Sequence, residues 1–289
     1  MTQPQSKPPR VLLTAFPDKY TLPAKPGRAG AQVLDAYRQT GFLLGEELAL
    51  FERAMNLQLR FVAACSKTRG PGAAAMFSIG SASYSHLENA CLLMSQGSYV
   101  SCPPLVRMAL EAAAVQRAVV QDGDESLYDE WFPAAVTQDR DRAALRIDLG
   151  HSKAASILAA DEELGTLYRL LMDLSMPHFG PALLFAAPET SLQKAPLAFA
   201  DNTFHLGLAQ LVTGWLLQVS AMQATTWLSW ATSNDTVPPE HAPQSPVPDI
   251  VKAMANPGLC YVERIDDGWV IHNFRRSPSG QPKRIVLGS

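Results

Sequence analysis

The 289-residue chain is 47% hydrophobic and 18% charged, so it can bury a sizeable core and holds one large domain or two unequal ones. A formal net charge of −3 and an isoelectric point near 6.1 exclude a protein whose main role is to coat nucleic acid or an anionic membrane. Four cysteines without a paired metal-ligand spacing predict reduced, buried thiols in a cytoplasmic protein, namely Cys65, Cys91, Cys102 and Cys260.

The first third of the chain predicts an extended arm followed by helices. Prolines are frequent in residues 1–29, which we expect to form the arm. Apolar residues then recur at spacings of three and four from 30 to 66, with Gly41 and Gly45 as candidate breaks. Two further helices are predicted downstream, the second of them N-capped by Ser101.

The following stretch predicts amphipathic helices and one apolar helix. The charge-rich segment 125–149 predicts a solvated helix that Gly150 ends, and a helix over 152–174 follows. Residues 203–234 contain no Lys, Arg, Asp or Glu and are long enough to span a bilayer. Because glutamines recur through this segment and its flanks lack a Lys/Arg bias, we predict a buried central helix rather than a membrane span.

The composition changes abruptly after Ser233. Prolines predict a linker over 234–258, and Asp266-Asp267-Gly268 between two β-rich runs predicts a hairpin in the segment 259–289. We therefore predict an all-α fold, in which residues 30–233 form a bundle of six or seven helices with a small C-terminal β-hairpin appendage.

A charged pair lies in an apolar, alanine-rich helix. Arg107 and Glu111 are four residues apart and share a helix face with Ala114 and Ala118. If the pair is buried it needs partners, because an unpaired charge in a low-dielectric site is costly, and a satisfied one is a candidate for function. The alternative is an ordinary surface ion pair.

Further polar candidates lie before and after that helix. Tyr84 and Glu88 share one side of the preceding helix with Cys91, and Glu88 would either join a functional network with Arg107 or simply satisfy it. His178 lies at a predicted break between helices, where a histidine can be aimed into a cleft for proton transfer near neutral pH. Its alternative role is that of a hydrogen-bonded structural residue.

Two short motifs carry a resemblance to known families. The Arg-x-x-x-Glu within Leu105–Ala112 and the Leu-Ser-x-x-His of Leu174–His178 resemble bacterial all-helical families that carry a domain-of-unknown-function label. Some of those families are similar to the HEPN superfamily of helical-bundle ribonucleases, toxins and phage-defence proteins. The resemblance covers about residues 30–230 of this chain.

The resemblance implies a stress or defence protein that acts on, or binds, RNA or a nucleotide in a polar cleft. In that cleft His178 would serve as general base, Arg107 would hold a phosphate and Glu111 would orient Arg107. The HEPN signature itself, an Arg followed a few residues later by a His on one helix, is met by Arg146 and His151. The glycine between them, however, predicts a helix end.

Two other function classes stay open, and the sequence implies no particular cofactor. A non-catalytic helical module that binds a partner or small ligand would use the same polar cluster for rigidity. A metal-dependent oxidoreductase would draw on residues such as Asp201 and His205, although Asp201 also suits a helix N-terminus. Basic residues beside Trp269 and Phe274 fit either single-stranded nucleic acid or a charged, solvated sheet edge. A homodimer is the oligomeric form considered for this chain, and no membrane partner is expected.

Overall fold

A computed structural model describes the chain over residues 13–68, 71–122, 154–189, 196–234, 236, 245–276 and 282–288. The helices are α1 (Ala31–Leu43), α2 (Gly45–Cys65), α3 (Pro71–Ser95), α4 (Cys102–Asp122), α5 (Glu162–Ser175), α6 (Phe179–Ala186), α7 (Leu206–Ser233) and α8 (Val247–Met254). The strands are β1 (Tyr261–Ile265), β2 (Gly268–Arg276) and β3 (Pro282–Gly288). A 3-10 turn (Tyr99–Ser101) precedes α4, and residues 154–160 are also helical. The predicted all-α class with a small C-terminal β appendage is confirmed.

Helix α7 is the centre of the bundle. Of its 28 residues 18 are buried, and it packs against α2, α3 and α4. A helix without Lys, Arg, Asp or Glu can be buried on almost every side, because no charge has to be desolvated. None of the helices in the described part of the chain combines the length and apolarity that a membrane span requires.

The apolar core consists of two clusters along α7. On α7 the larger cluster ends at Met222 and the smaller one begins at Ala224. Between them lies Gln223, which is fully buried, and the neighbouring helices α2 and α4 carry the buried amides of Gln58 and Gln116. Neither the oxygen nor the nitrogen of the Gln223 amide has a hydrogen-bond partner among the described residues. Burial of this unbonded amide in the core therefore lowers the stability of the fold.

We expect Gln223→Met to raise the free energy of unfolding by about 1–3 kcal/mol, because it replaces a buried, unbonded amide with an apolar side chain of similar shape. Gln116→Met is the matched control. It removes the bond that Gln116 Nε2 donates to the Met76 carbonyl at 3.0 Å, and is expected to be neutral or destabilising. Urea denaturation measures both variants, and a loss of stability in Gln223→Met would contradict the unbonded state of that amide.

Two helix glycines have opposite surroundings. A Cβ added at Gly80 of α3 would lie 2.4 Å from Gln116 Nε2 and 2.7 Å from Trp227 Cζ2, so α3 approaches α4 and α7 closely there. A Cβ added at Gly214 of α7 would meet no atom within 4 Å. Packing therefore accounts for the glycine at position 80 but not for the one at position 214.

Alanine substitutions separate these two cases. Gly214→Ala is expected to raise the free energy of unfolding by about 1 kcal/mol, because alanine has the higher helix propensity and no neighbour opposes it. Gly80→Ala is expected to lower it by about 1–3 kcal/mol, because the clash with the rigid Trp227 ring outweighs the propensity gain. Thermal and urea unfolding measure both, and a stabilised Gly80→Ala variant would rule out the close helix approach.

The arm that precedes α1 is anchored to the bundle by one tyrosine. Tyr20 is buried, with its ring edge-on to Phe51 of α2 at a centroid distance of 5.7 Å and to Tyr84 of α3 at 6.2 Å. The side chain of Asn56 accepts from the Tyr20 backbone nitrogen at 2.9 Å and donates to the Tyr20 carbonyl at 3.0 Å. Residues 13–30 contain no helix or strand, and Leu22 and Leu13 of this segment also pack against the larger and the smaller core cluster respectively.

Two segments differ from the sequence expectation. The helix predicted over 152–174 is interrupted at Asp161, whose side chain accepts from the backbone nitrogen of Leu164 and caps α5. Within the segment expected to be a linker, residues 247–254 form α8, and its Ile250 is buried against the bundle. A proline at the first turn of a helix is compatible with helical backbone, which is why a proline-rich segment holds α8.

The predicted hairpin is present and gains a third strand. Strands β1, β2 and β3 form an antiparallel sheet in that order, and Ile265 pairs with Gly268 across the turn. The sheet packs on α5 and on the start of α7. There the Trp269 indole donates to Asp173 Oδ2 at 2.7 Å, and the Phe274 carbonyl lies close to Gly207.

Candidate functional site

Arg107 and Glu111 lie on the side of α4 that packs against α5. Arg107 Nε is 3.8 Å from Glu111 Oε1, and Arg107 Nη1 donates to Met172 Sδ at 3.1 Å. The hydroxyl of Tyr168 donates to Glu111 Oε1 at 3.2 Å. The side chains of Arg107 and Glu111 are 26% and 31% exposed. The pair is therefore partly buried, which is intermediate between the two alternatives given by the sequence, a buried network and a surface ion pair.

The hydrogen bonds of this cluster connect helix α4 to helix α5. Burial, and then the negative charge of Glu111, raise the pKa of Tyr168, so its hydroxyl remains a hydrogen-bond donor at neutral pH. The Glu111 carboxylate compensates the charge of Arg107, which weakens the attraction of the guanidinium for a phosphate. The described geometry therefore accounts for the cluster by helix packing.

His178 lies at the other end of the connection between α5 and α6. It precedes α6 as the N-cap residue, and its side chain is exposed. Its backbone nitrogen donates to the Met176 carbonyl at 2.8 Å. Within the described part of the chain, its ring makes no hydrogen bond or ion pair with Arg107 or Glu111. The three residues proposed as a catalytic set are thus not joined in one contact network.

The second group of candidates surrounds the arm. Tyr84 is half-buried and contacts Tyr20, whereas Glu88 is exposed on α3. The ion pair of Arg107 is formed with Glu111 of its own helix and not with Glu88. Burial, and then the charge of Glu88, raise the pKa of Tyr84. Tyr84 therefore helps to dock the arm on the bundle through its contact with Tyr20.

Two of the remaining candidate residues, Arg146 and His151, lie outside the described residues. Asp201 accepts from the backbone nitrogen of Thr203, in the segment before α7, whereas His205 N-caps α7 and pairs with Glu189 at 3.0 Å. No three His, Cys, Asp or Glu side chains of the described ranges lie close enough together to hold a metal ion.

Trp269 and Phe274 of the C-terminal sheet are not available for stacking on bases. Trp269 is 5% exposed and Phe274 is 2% exposed, because both face the bundle. Of the two alternatives given by the sequence, the burial of these two rings therefore does not support single-stranded nucleic-acid binding through them. Because side chains alternate between the two faces of a sheet, the sequence did not determine which face would be buried. The packing of the sheet on α5 and α7 places both rings toward the bundle.

A groove of about 1140 Å³ runs along the face of α7 that the other long helices leave uncovered. Its floor is a stripe of α7 at helical spacing, formed by Gln210, Gly214, Gln218, Ala221 and Thr225. Its walls come from α2, α4, α5, α8 and β1. Apolar side chains in these walls include Leu44, Leu167, Ile250, Met254 and Val262.

Sequence reasoning did not identify this groove. The recurrence of Gln210 and Gln218 in an apolar helix was noted as evidence against a membrane span, and that same recurrence marks the groove face. Gly214 lies between them, one helical turn from each, and opens the floor to the helix backbone. A polar stripe with a glycine in an otherwise buried helix was the signal that could have located it.

The groove is acidic at the ends of its walls. Among the described residues, four carboxylates line it, Glu47, Asp161, Glu162 and Glu163, against one guanidinium, Arg117, which pairs with Asp161 at 3.4 Å. Glu47, Glu162 and Glu163 lie in the first turns of α2 and α5, where negative charge also stabilises a helix N-terminus. The electrostatic environment of the groove favours a neutral or cationic ligand over a phosphate.

Comparison of the chain with models of protein families, with curated proteins and with solved structures finds no match. The resemblance to HEPN-like bacterial families is thus not tested by these comparisons, and it stays a hypothesis. The same holds for the RNA or nucleotide partner that the resemblance implies.

The four cysteines offer a test of the buried state of the core. All four are free thiols and buried. Burial raises the pKa of Cys91 and of Cys260 to about 12 each, and it also raises the pKa of Cys65 and Cys102. Since the thiolate is the reactive form, these groups are inert in the folded chain.

We expect the native protein to resist alkylation by iodoacetamide at pH 8, and the protein in guanidinium to be alkylated four times, as measured by mass spectrometry. The free energy of unfolding should also fall as the pH rises above about 9, because unfolded thiols with a pKa near 8.5 release protons that the folded chain retains. Rapid alkylation of the native protein, or equal stability at pH 8 and pH 10, would contradict this burial.

Proposed function

We propose that this chain is a non-catalytic helical binding module that takes an amphipathic small molecule into the groove along α7. The observation that carries the proposal is Gly214. A glycine inside a helix costs about 1 kcal/mol relative to alanine, and none of the described residues makes a packing contact within 4 Å that requires it here. A ligand that approaches the helix backbone at the groove floor gives that glycine a role.

The lining of the groove defines the class of ligand. Apolar walls from α5, α7 and α8 suit a hydrocarbon or aromatic portion. The Gln218 amide on the floor offers both a donor and an acceptor to a polar group. Because the carboxylates of the walls outnumber the single guanidinium, the polar group of the ligand is neutral or cationic.

The RNA-acting hypothesis remains a second proposal from the sequence, and we give it less weight. Its supporting observation is that Arg107 and Glu111 are held together, partly shielded from solvent, at the packing of α4 on α5. Against it, His178 is exposed and makes no bond to that pair among the described residues, and the groove is acidic. A metal-dependent reaction has no ligand cluster to support it in the described ranges.

Nile red fluorescence tests the groove directly. The neutral dye is expected to bind the wild-type protein, and Gly214→Phe is expected to weaken binding at least about tenfold, or about 1.4 kcal/mol, because the new ring fills the groove floor. Gly41→Phe is the matched control. Gly41 is exposed on α1, and a Cβ there also meets no atom within 4 Å, so binding should be unchanged.

Charge selectivity is measured with two competitors of equal chain length. Decyltrimethylammonium should displace the dye at a lower concentration than decanoate, and added salt should reduce the difference. Equal binding by the wild-type and Gly214→Phe proteins would overturn the groove as the site. Stronger displacement by decanoate would overturn the proposed ligand charge.

A further inference from the structure

One surface of the molecule is apolar, exposed and separate from the groove. Phe179 and Leu183 of α6 are 96% and 44% exposed, and Met176, which follows the end of α5, is 43% exposed. On the segment that follows, Leu197 and Phe199 are 70% and 102% exposed. We call these five side chains the α6 patch.

The α6 patch is one surface because its two segments are joined. The backbone nitrogen of Ala198 donates to the carbonyl of Ala186 at 2.8 Å, which fixes the segment carrying Leu197 and Phe199 to the end of α6. The opposite face of α6 is committed to the core, where Leu184 is buried, and α6 also contacts β3. The helix is therefore seated on the bundle with one apolar face turned outward.

The patch lies at the upper end of the range of apolar patches that monomeric proteins expose. A whole aromatic side chain contributes about 150–250 Å², so the five side chains together expose roughly 600 Å². The largest apolar patch of a typical monomer is about 300–600 Å², and a standard protein interface buries about 800 Å² per partner. The α6 patch is thus large enough to form most of one side of such an interface.

The absence of charged residues from the patch favours a second copy of this chain as the partner. Residues 174–187 and 196–200 contain no Lys, Arg, Asp or Glu. A symmetric dimer brings the same surface together from both copies, which is unfavourable for a charged surface and costs an uncharged one nothing in like-charge repulsion. The charged residues that flank these two runs in the sequence are Asp173, Glu189, Lys194 and Asp201, and the excess of negative over positive charge opposes contact with an anionic lipid surface.

We propose that the α6 patch is a homodimer interface in which a second copy of this chain covers the patch by two-fold symmetry. The sequence left a homodimer open, and the patch gives the dimer a location. The interface is independent of the groove along α7, because none of its five side chains lines that groove.

Sedimentation velocity over a dilution series tests the interface. The wild-type protein is expected to sediment as a concentration-dependent dimer. Phe179→Glu and Phe199→Glu are each expected to shift it to a monomer, because a carboxylate from each copy would be buried in the contact. Phe42→Glu on α1 is the matched control, since Phe42 is 86% exposed and outside the patch, and it should leave the dimer intact.

Folding of the variants is checked by circular dichroism and thermal midpoint, which should match wild type because all three side chains are solvent-exposed. A wild-type protein that remains monomeric over the whole series would overturn the proposal. So would a dimer that persists in both Phe179→Glu and Phe199→Glu, or one that Phe42→Glu dissociates equally. Loss of dye binding in Gly214→Phe without a change in sedimentation would separate the two proposals.

Discussion

The structure depends on the burial of α7 between α2, α3 and α4. A helix of 28 residues with no formal charge can give most of its surface to the core, and 18 of its residues do so. The neighbouring helices then need only present apolar side chains and small residues to it, as Gly80 of α3 does beside Trp227. The arm and the C-terminal sheet are attached to this core by contacts of Tyr20 and Trp269 respectively.

The same constraint creates the groove. The three long helices that pack on α7 leave part of its circumference uncovered, and the residues on that part include glutamines, threonines and a glycine. Shorter elements, α5, α8 and β1, approach this face without closing it. A binding site at the exposed side of a buried central helix is rigid, because its floor is fixed by the entire core behind it.

The charged cluster of Arg107 and Glu111 has a different physical meaning. It lies where α4 meets α5, and its partners Tyr168 and Met172 are supplied by α5. The ion pair itself is formed within α4, so only the bonds to Tyr168 and Met172 depend on the alignment of α5, and Arg107 Nε has no hydrogen-bond partner among the described residues. Three residues separate the end of α5 from the start of α6, whose Phe179 and Leu183 belong to the exposed α6 patch.

The sequence by itself determined the all-α class, the buried apolar helix and the Asp-Gly hairpin, because periodicity, charge and turn chemistry are local properties. It also placed Arg107 and Glu111 on one helix face. It did not supply Tyr168 and Met172, which lie 57 and 65 residues away from the groups they contact. Only the tertiary structure turned Trp269 and Phe274 inward, left Phe179 and Phe199 in solvent, and distinguished Gly80 from Gly214. The reason is physical: which face of an element is buried depends on neighbours that are distant in sequence, and spacing along one helix does not encode them.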